Sequence, residues 1–179
     1  MALTPRIRVP SASRELARSV GRVGQSVAGP LLGPRPLRSA VDGRTVMVTG
    51  ASSGIGRAAA LEIGRAGATV LLVARSTARL EDTAREIEAS HGLAEVYCAD
   101  LSAEASIDEL LERVLAEHPT IDVLVNNAGR SIRRSLALSY ERFHDFERTM
   151  QLNYFGPVKL ILGACWATCA SAAVARSST

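Results

Sequence analysis

From residue 43 onward, apolar positions along the chain alternate between two rhythms. Residues 45–49 form a short run rich in β-branched side chains; a glycine-rich turn follows, and residues 55–66 then show apolar positions at helical spacing. The cycle repeats. Residues 69–73 predict a second strand, 79–90 a charged amphipathic helix, and 94–98 a third strand. Residues 102–118 predict a helix whose stripe is Leu110, Leu111, Val114 and Leu115, with Pro119 just beyond its end. A fourth strand at 121–125 precedes a long helix from near Tyr140 towards Leu162. Strands alternating with helices of this length imply βαβ units with right-handed crossovers and a parallel sheet covered on both faces. The fold class is α/β, a doubly wound parallel sheet of about four strands.

The first 43 residues break the pattern. Arg6, Arg8, Arg14, Arg18, Arg22, Arg35 and Arg38 stand against a single acid, Glu15, before Asp42. Leu16, Val20, Val23 and Val27 recur at helical spacing while Arg14, Arg18 and Arg22 line another face, a basic amphipathic pattern ended by Pro30, Pro34 and Pro36. A disordered linker, a helix in weak contact with a membrane surface, and an Arg-rich presequence of mitochondrial type all fit this composition. The organisation is therefore a basic arm or linker at 1–43, a folded unit at 44–162, and a tail at 163–179 that no longer follows the pattern.

Bulk properties narrow the function. A length of 179 residues suits one domain, and a net charge of +3 is too small to point to nucleic acid as a partner. Cys98, Cys165 and Cys169 make an odd count with no secretory apolar segment ahead of them, which favours a reduced, cytoplasmic protein. Cys165 and Cys169 lack the His or further Cys that a zinc site requires, so no metal is expected.

The chemistry is concentrated in Thr49-Gly50-Ala51-Ser52-Ser53-Gly54-Ile55-Gly56, between the first predicted strand and the first predicted helix. Gly50 suits a tight turn, Gly54 lets backbone approach a pyrophosphate, and Gly56 lets the helix pack closely on the strand. Ser52 and Ser53 add hydroxyl donors, and the free amides and dipole of a helix starting near Ile55 favour phosphate charge. The spacing is Gly-x-x-x-Gly-x-Gly. Together with Asn126-Asn127-Ala128-Gly129 after the fourth strand, it resembles the short-chain dehydrogenase/reductases over roughly residues 44–162. That resemblance implies a Rossmann-type fold, of which this stretch is the first half, and a nicotinamide dinucleotide.

About twenty residues beyond the glycine loop, where a carboxylate would bind the adenosine ribose of NAD, the chain has Ala74-Arg75-Ser76. Arg75 can pair with a 2′-phosphate through its planar fork, so NADP(H) is favoured over NAD(H). The resemblance also implies that Asp100 and Leu101 contact adenine, although Asp100 equally suits the N-cap of the next helix. It implies that Asn127, Ala128 and Gly129 support the sheet and leave room for the cofactor.

In this family a Ser, a Tyr and a Lys four residues after it, and a relay Asn act on the carbonyl or alcohol. Asn153, in Asn153-Tyr154-Phe155-Gly156, matches the relay Asn. None of Tyr97, Tyr140 and Tyr154 has Lys four residues on, and residues 163–173 do not read as the strand that would bear the Ser. The expectation is a truncated or frameshifted family member: an NADP(H)-dependent oxidoreductase by descent, catalytically incomplete, with its fourth strand an exposed edge. The alternative is a non-catalytic nucleotide-binding or partner-binding module. Residues 127–135 and 143–148 resemble reductases of lipidic carbonyls, including fatty acyl and 3-oxoacyl types. Arg130, Arg133 and Arg134 fit contacts to an acyl-CoA phosphate or membrane lipid, or plain solvated loop positions.

Overall fold

Val46, Met47 and Val48 are wholly buried in β1 (Thr45–Thr49), the strand around which the rest of the chain is arranged. The computed structural model describes residues 36–164. The basic stretch at 14–27, Cys165 and Cys169 lie outside the described residues. After a short helix α1 (Leu37–Val41) and β1 come α2 (Gly54–Arg65), β2 (Thr69–Ala74), α3 (Thr77–Ala89) and β3 (Leu93–Cys98). Next come α4 (Glu104–Glu117), β4 (Val123–Val125), a 3-10 turn (Leu136–Leu138) and α5 (Phe143–Met150). A π-helical turn (Gln151–Phe155) joins α5 to a final helix, α6, at 156–164.

All strand pairs are parallel, in the order β3-β2-β1-β4. Val46 lies opposite Val70 and Val123, and Val48 opposite Leu72 and Val125. Successive side chains point to opposite faces, so the continuous apolar run of each central strand feeds two cores. On one face Val46, Val48, Val70 and Leu72 pack with Leu61, Leu80 and Ile87 of α2 and α3. On the other, Met47, Leu71, Val73 and Tyr97 pack with Ile107, Leu110, Leu111 and Val114 of α4 and with Leu160 of α6. This is a doubly wound Rossmann-type sheet. The chain runs outward from β1 through β2 to β3 and then crosses back to place β4 on the other side of β1, which makes the end of β1 a topological switch point.

Several boundaries have identifiable causes. Asp100 accepts hydrogen bonds from the Ser102 amide at 3.0 Å and its hydroxyl at 2.7 Å, forming a side-chain turn that delays α4 to Glu104. The long helix expected from Tyr140 begins only at Phe143 and passes through the π turn. Pro157 explains the widening: it has no N–H for the Asn153 carbonyl, and its ring would clash with that carbonyl in a regular α-helix. The helix continues to residue 164, two residues into the range read as tail. At the other end, Leu37–Val41 falls within the range read as arm, yet it is helical and Val41 is only 6% exposed.

Away from the strand ends, Tyr97 closes α4 onto β3. Its hydroxyl lies 2.5 Å from Glu117 and 3.0 Å from Glu95, and His118 Nε2 lies 2.9 Å from Glu95. Burial, reinforced by the two carboxylates, pushes the Tyr97 phenol upward, while the His118 hydrogen bond holds Glu95 below its ordinary value. Among the described residues, nothing pairs with the outer edge of β4, and Tyr154, Phe155, Val158, Ile161 and Leu162 remain exposed. No helix among them is long and apolar enough to cross a membrane.

Candidate functional site

Where β1 ends, the chain cannot continue straight. Gly50 adopts φ +69°, and its amide donates to the Val73 carbonyl at 2.8 Å, turning the backbone across the tip of β2. Gly54 opens α2 with φ +56° and has nothing within 4 Å of where a Cβ would stand. Among the described residues, the amides of Ser52, Ser53, Gly54 and Ile55 make no hydrogen bond within the chain. Ser53 occupies the N-cap position without capping through its side chain. The result is a cluster of free donors at the positive end of a helix, beside open space.

A second loop completes this one. Thr49, 1% exposed, donates its hydroxyl proton to the Val125 carbonyl at 3.2 Å and accepts the amides of Asn127 and Ala128, each at 3.0 Å. Asn127 Nδ2 in turn donates to the Thr49 carbonyl at 3.0 Å. A Cβ on Gly50 would lie 2.7 Å from that Asn127 nitrogen, and one on Gly56 would overlap it and the Gly50 carbonyl. Gly56 therefore lets the start of α2 come close to the residue directly after β1 and to the loop after β4. Further on, Asn153 accepts the Arg130 amide at 2.9 Å and donates to the Arg130 carbonyl at 2.7 Å, clamping the chain just past Gly129.

These loops wall an open cleft of about 340 Å³ at the carboxyl ends of the strands. Gly50, Ser52, Ser53, Arg75, Asp100, Leu101, Asn127, Ala128 and Gly129 line it, joined by Ser76, Arg79 and Leu152. Gly54, Ile55, Gly56 and Asn153 do not. Ile55 stands 82% exposed at the start of α2, Gly56 is buried under the turn, and Asn153 hydrogen-bonds the Arg130 backbone. Leu101 is a core residue at 4% exposure that also reaches the cleft. Arg79 and Leu152 carried no motif. Their signal was position alone, since Arg79 falls in the first turn of the helix that follows Arg75 and Leu152 precedes Asn153 on the π turn.

The cleft is electropositive. Arg75 and Arg79 form no ion pair among the described residues, and Asp100 is the one acid lining the cleft among them. The hydroxyl and amide of Ser102, with the Arg75 charge, hold the Asp100 carboxyl below its ordinary range. Asp100 turns out not to be the N-cap of α4, a position that Ala103 fills. Lys159 faces elsewhere, 3.0 Å from Glu104 and 2.8 Å from Asp108 on α4.

Residues 44–167 match the family model described as short chain dehydrogenase. An uncharacterised oxidoreductase of Mycobacterium tuberculosis is 54% identical over 131 residues, spanning 72% of this chain and 38% of that protein. A fatty acyl-CoA reductase of Acinetobacter baylyi is 51% identical over 125 residues, 70% of this chain and 42% of that protein. The chain thus spans about two fifths of the length of these curated relatives. Among solved structures, a metagenomic short-chain oxidoreductase in complex with NADP superposes with a TM-score of 0.68 at 36% identity, covering 74% of this chain and 59% of that one.

Proposed function

The chain belongs to the short-chain dehydrogenase family, and from that premise we propose that it binds NADP(H) in the strand-end cleft as the cofactor half of an oxidoreductase acting on a carbonyl or alcohol. One observation carries the reading. Arg75 and Ser76 just past β2 and Arg79 in the first turn of α3 line the cleft, beside the start of α2 with its free amides.

In this reading the pyrophosphate rests on the turn of Gly50, Ser52, Ser53, Gly54, Ile55 and Gly56, where open space at Gly54 leaves the backbone approachable. Arg75 pairs with the 2′-phosphate through its fork, and Ser76 adds a donor. Asp100 and Leu101 border the adenine, with the depressed Asp100 carboxyl ready to accept from the exocyclic amine. Asn127, Ala128 and Gly129 shape the opposite wall, and Asn153 serves as the relay Asn of the family. The bound nicotinamide supplies hydride chemistry. The protein's part is to neutralise phosphate charge, orient the dinucleotide and hold its own loops rigid.

An acyl substrate of lipidic type is favoured by the likeness to a fatty acyl-CoA reductase. A reading of binding without turnover for these 179 residues is favoured by their lack of a Tyr with Lys four residues on, and by the engagement of Lys159 with α4. The domain organisation proposed is an arm at 1–43, the dinucleotide-binding unit at 44–162 and a tail at 163–179, in a cytoplasmic protein.

Fluorescence titration of the chain with NADPH and NADH, in wild type and Arg75→Asp, tests the cofactor assignment. NADPH is expected to bind tenfold or more tighter than NADH, and Arg75→Asp to lose about that factor for NADPH alone, the size of one charge-assisted contact. Equal affinity for the two cofactors in wild type would refute it.

A further inference from the structure

We propose that Arg130 and Arg148 form a second anion subsite beside the dinucleotide cleft, one that takes a phosphate carried by the substrate. The inference rests on the acyl-CoA reading above, and it names the part of such a substrate that the protein would grip. A depression of about 380 Å³ adjoining that cleft is lined by Arg75, Arg130, Arg148, Asp100 and Ser102. It shares Arg75, Asp100, Gly129 and Leu152 with the dinucleotide cleft, so the two cavities are neighbours across a common wall.

Three guanidinium groups face one carboxylate there, and that carboxylate is committed to Ser102. Among the described residues neither Arg130 nor Arg148 forms an ion pair. Nearby basic groups are neutralised locally: Arg134 and Arg142 each lie 2.9 Å from Asp145. Glu104 and Glu147 line a depression on the other side of Arg148, but Glu104 pairs with Lys159 and neither acid reaches Arg148.

Arg130 is also fixed at its root, because Asn153 holds both its amide and its carbonyl. Arg148 stands one helical turn before Leu152, on the common wall. Guanidinium groups without ion pairs that line one depression suit a phosphate monoester, whose oxygens accept two forks at once. Arg75 is left to the 2′-phosphate of the cofactor, which makes Arg130 and Arg148 the residues specific to the second site.

Calorimetric titration of coenzyme A onto the full chain saturated with NADPH tests the assignment. Coenzyme A is expected to bind alongside NADPH, about tenfold more weakly in Arg130→Gln and in Arg148→Gln, while NADPH affinity in both variants stays within about twofold of wild type. Retained NADPH affinity also shows that the variants fold. The proposal is overturned if coenzyme A merely displaces NADPH, if neither substitution weakens it, or if inorganic phosphate binds as tightly as coenzyme A. Should wild type fail to bind NADPH, the cofactor reading falls by itself. Coenzyme A titrated alone then decides the subsite: Arg148-dependent binding keeps it, and no binding removes it.

Discussion

Thr49 carries one hydroxyl and three hydrogen bonds, all to the strand and loop of β4. Replacing it by Val keeps the shape and strands two amides, those of Asn127 and Ala128, with no acceptor. Each unsatisfied group costs about 1–3 kcal/mol, so Thr49→Val is expected to lower stability by about 2–6 kcal/mol. Thr49→Ser, which keeps the oxygen and loses a methyl, costs about 1 kcal/mol. Urea unfolding of the two variants checks this, and equal losses would count against the hydroxyl as the cause. At this scale the motif positions were legible by residue type and spacing, and Gly50, Ser52, Ser53 and Arg75 come together along one cleft. Thr49 read only as a strand residue, since its role depends on residues 76 to 79 positions away arriving beside it.

Among elements, the segment from Ser135 to α5 is held by a buried charge. Asp145, 5% exposed, accepts from Arg142 and Arg134, with His144 at 3.3 Å. The hydrogen bond from Arg142, then that from Arg134, depress its carboxyl to about 2. A carboxyl depressed by folding stabilises above its unfolded value, about 4, and loses that contribution as pH falls through its folded value. Wild type is therefore expected to lose stability between pH 4 and pH 2 more steeply than Asp145→Asn, as thermal melts across that range would show. Parallel slopes would disprove the pairing. Periodicity located every strand and helix of the sheet region, with β1 reproduced end to end. It could not anticipate the π turn, because hydrophobic rhythm in 140–162 is silent about the conflict between Pro157 and the Asn153 carbonyl. Nor could it shorten α4, which Asp100 delays through a side-chain turn.

For the molecule as a whole, parallel topology and order were legible from alternating elements, whereas the partition of surface was not. Phe155, Ile161 and Leu162 are exposed on α6 and the turn before it, and the outer edge of β4 is uncovered among the described residues. Apolar patches and open edges of this kind drive association. The 179-residue chain is expected to elute above monomer size in gel filtration, and Phe155→Ser combined with Ile161→Ser to shift it towards monomer. An unchanged profile would place the contact elsewhere. A different consequence follows from Asn127, whose amide occupies the space that side chains at Gly50 and Gly56 would need. The glycine turn is braced by a residue 77 positions downstream of it. A peptide ending before Asn127 would carry every glycine of the motif and lack its brace, so under the proposed cofactor reading nucleotide affinity would double as a gauge of whether the fourth strand has docked.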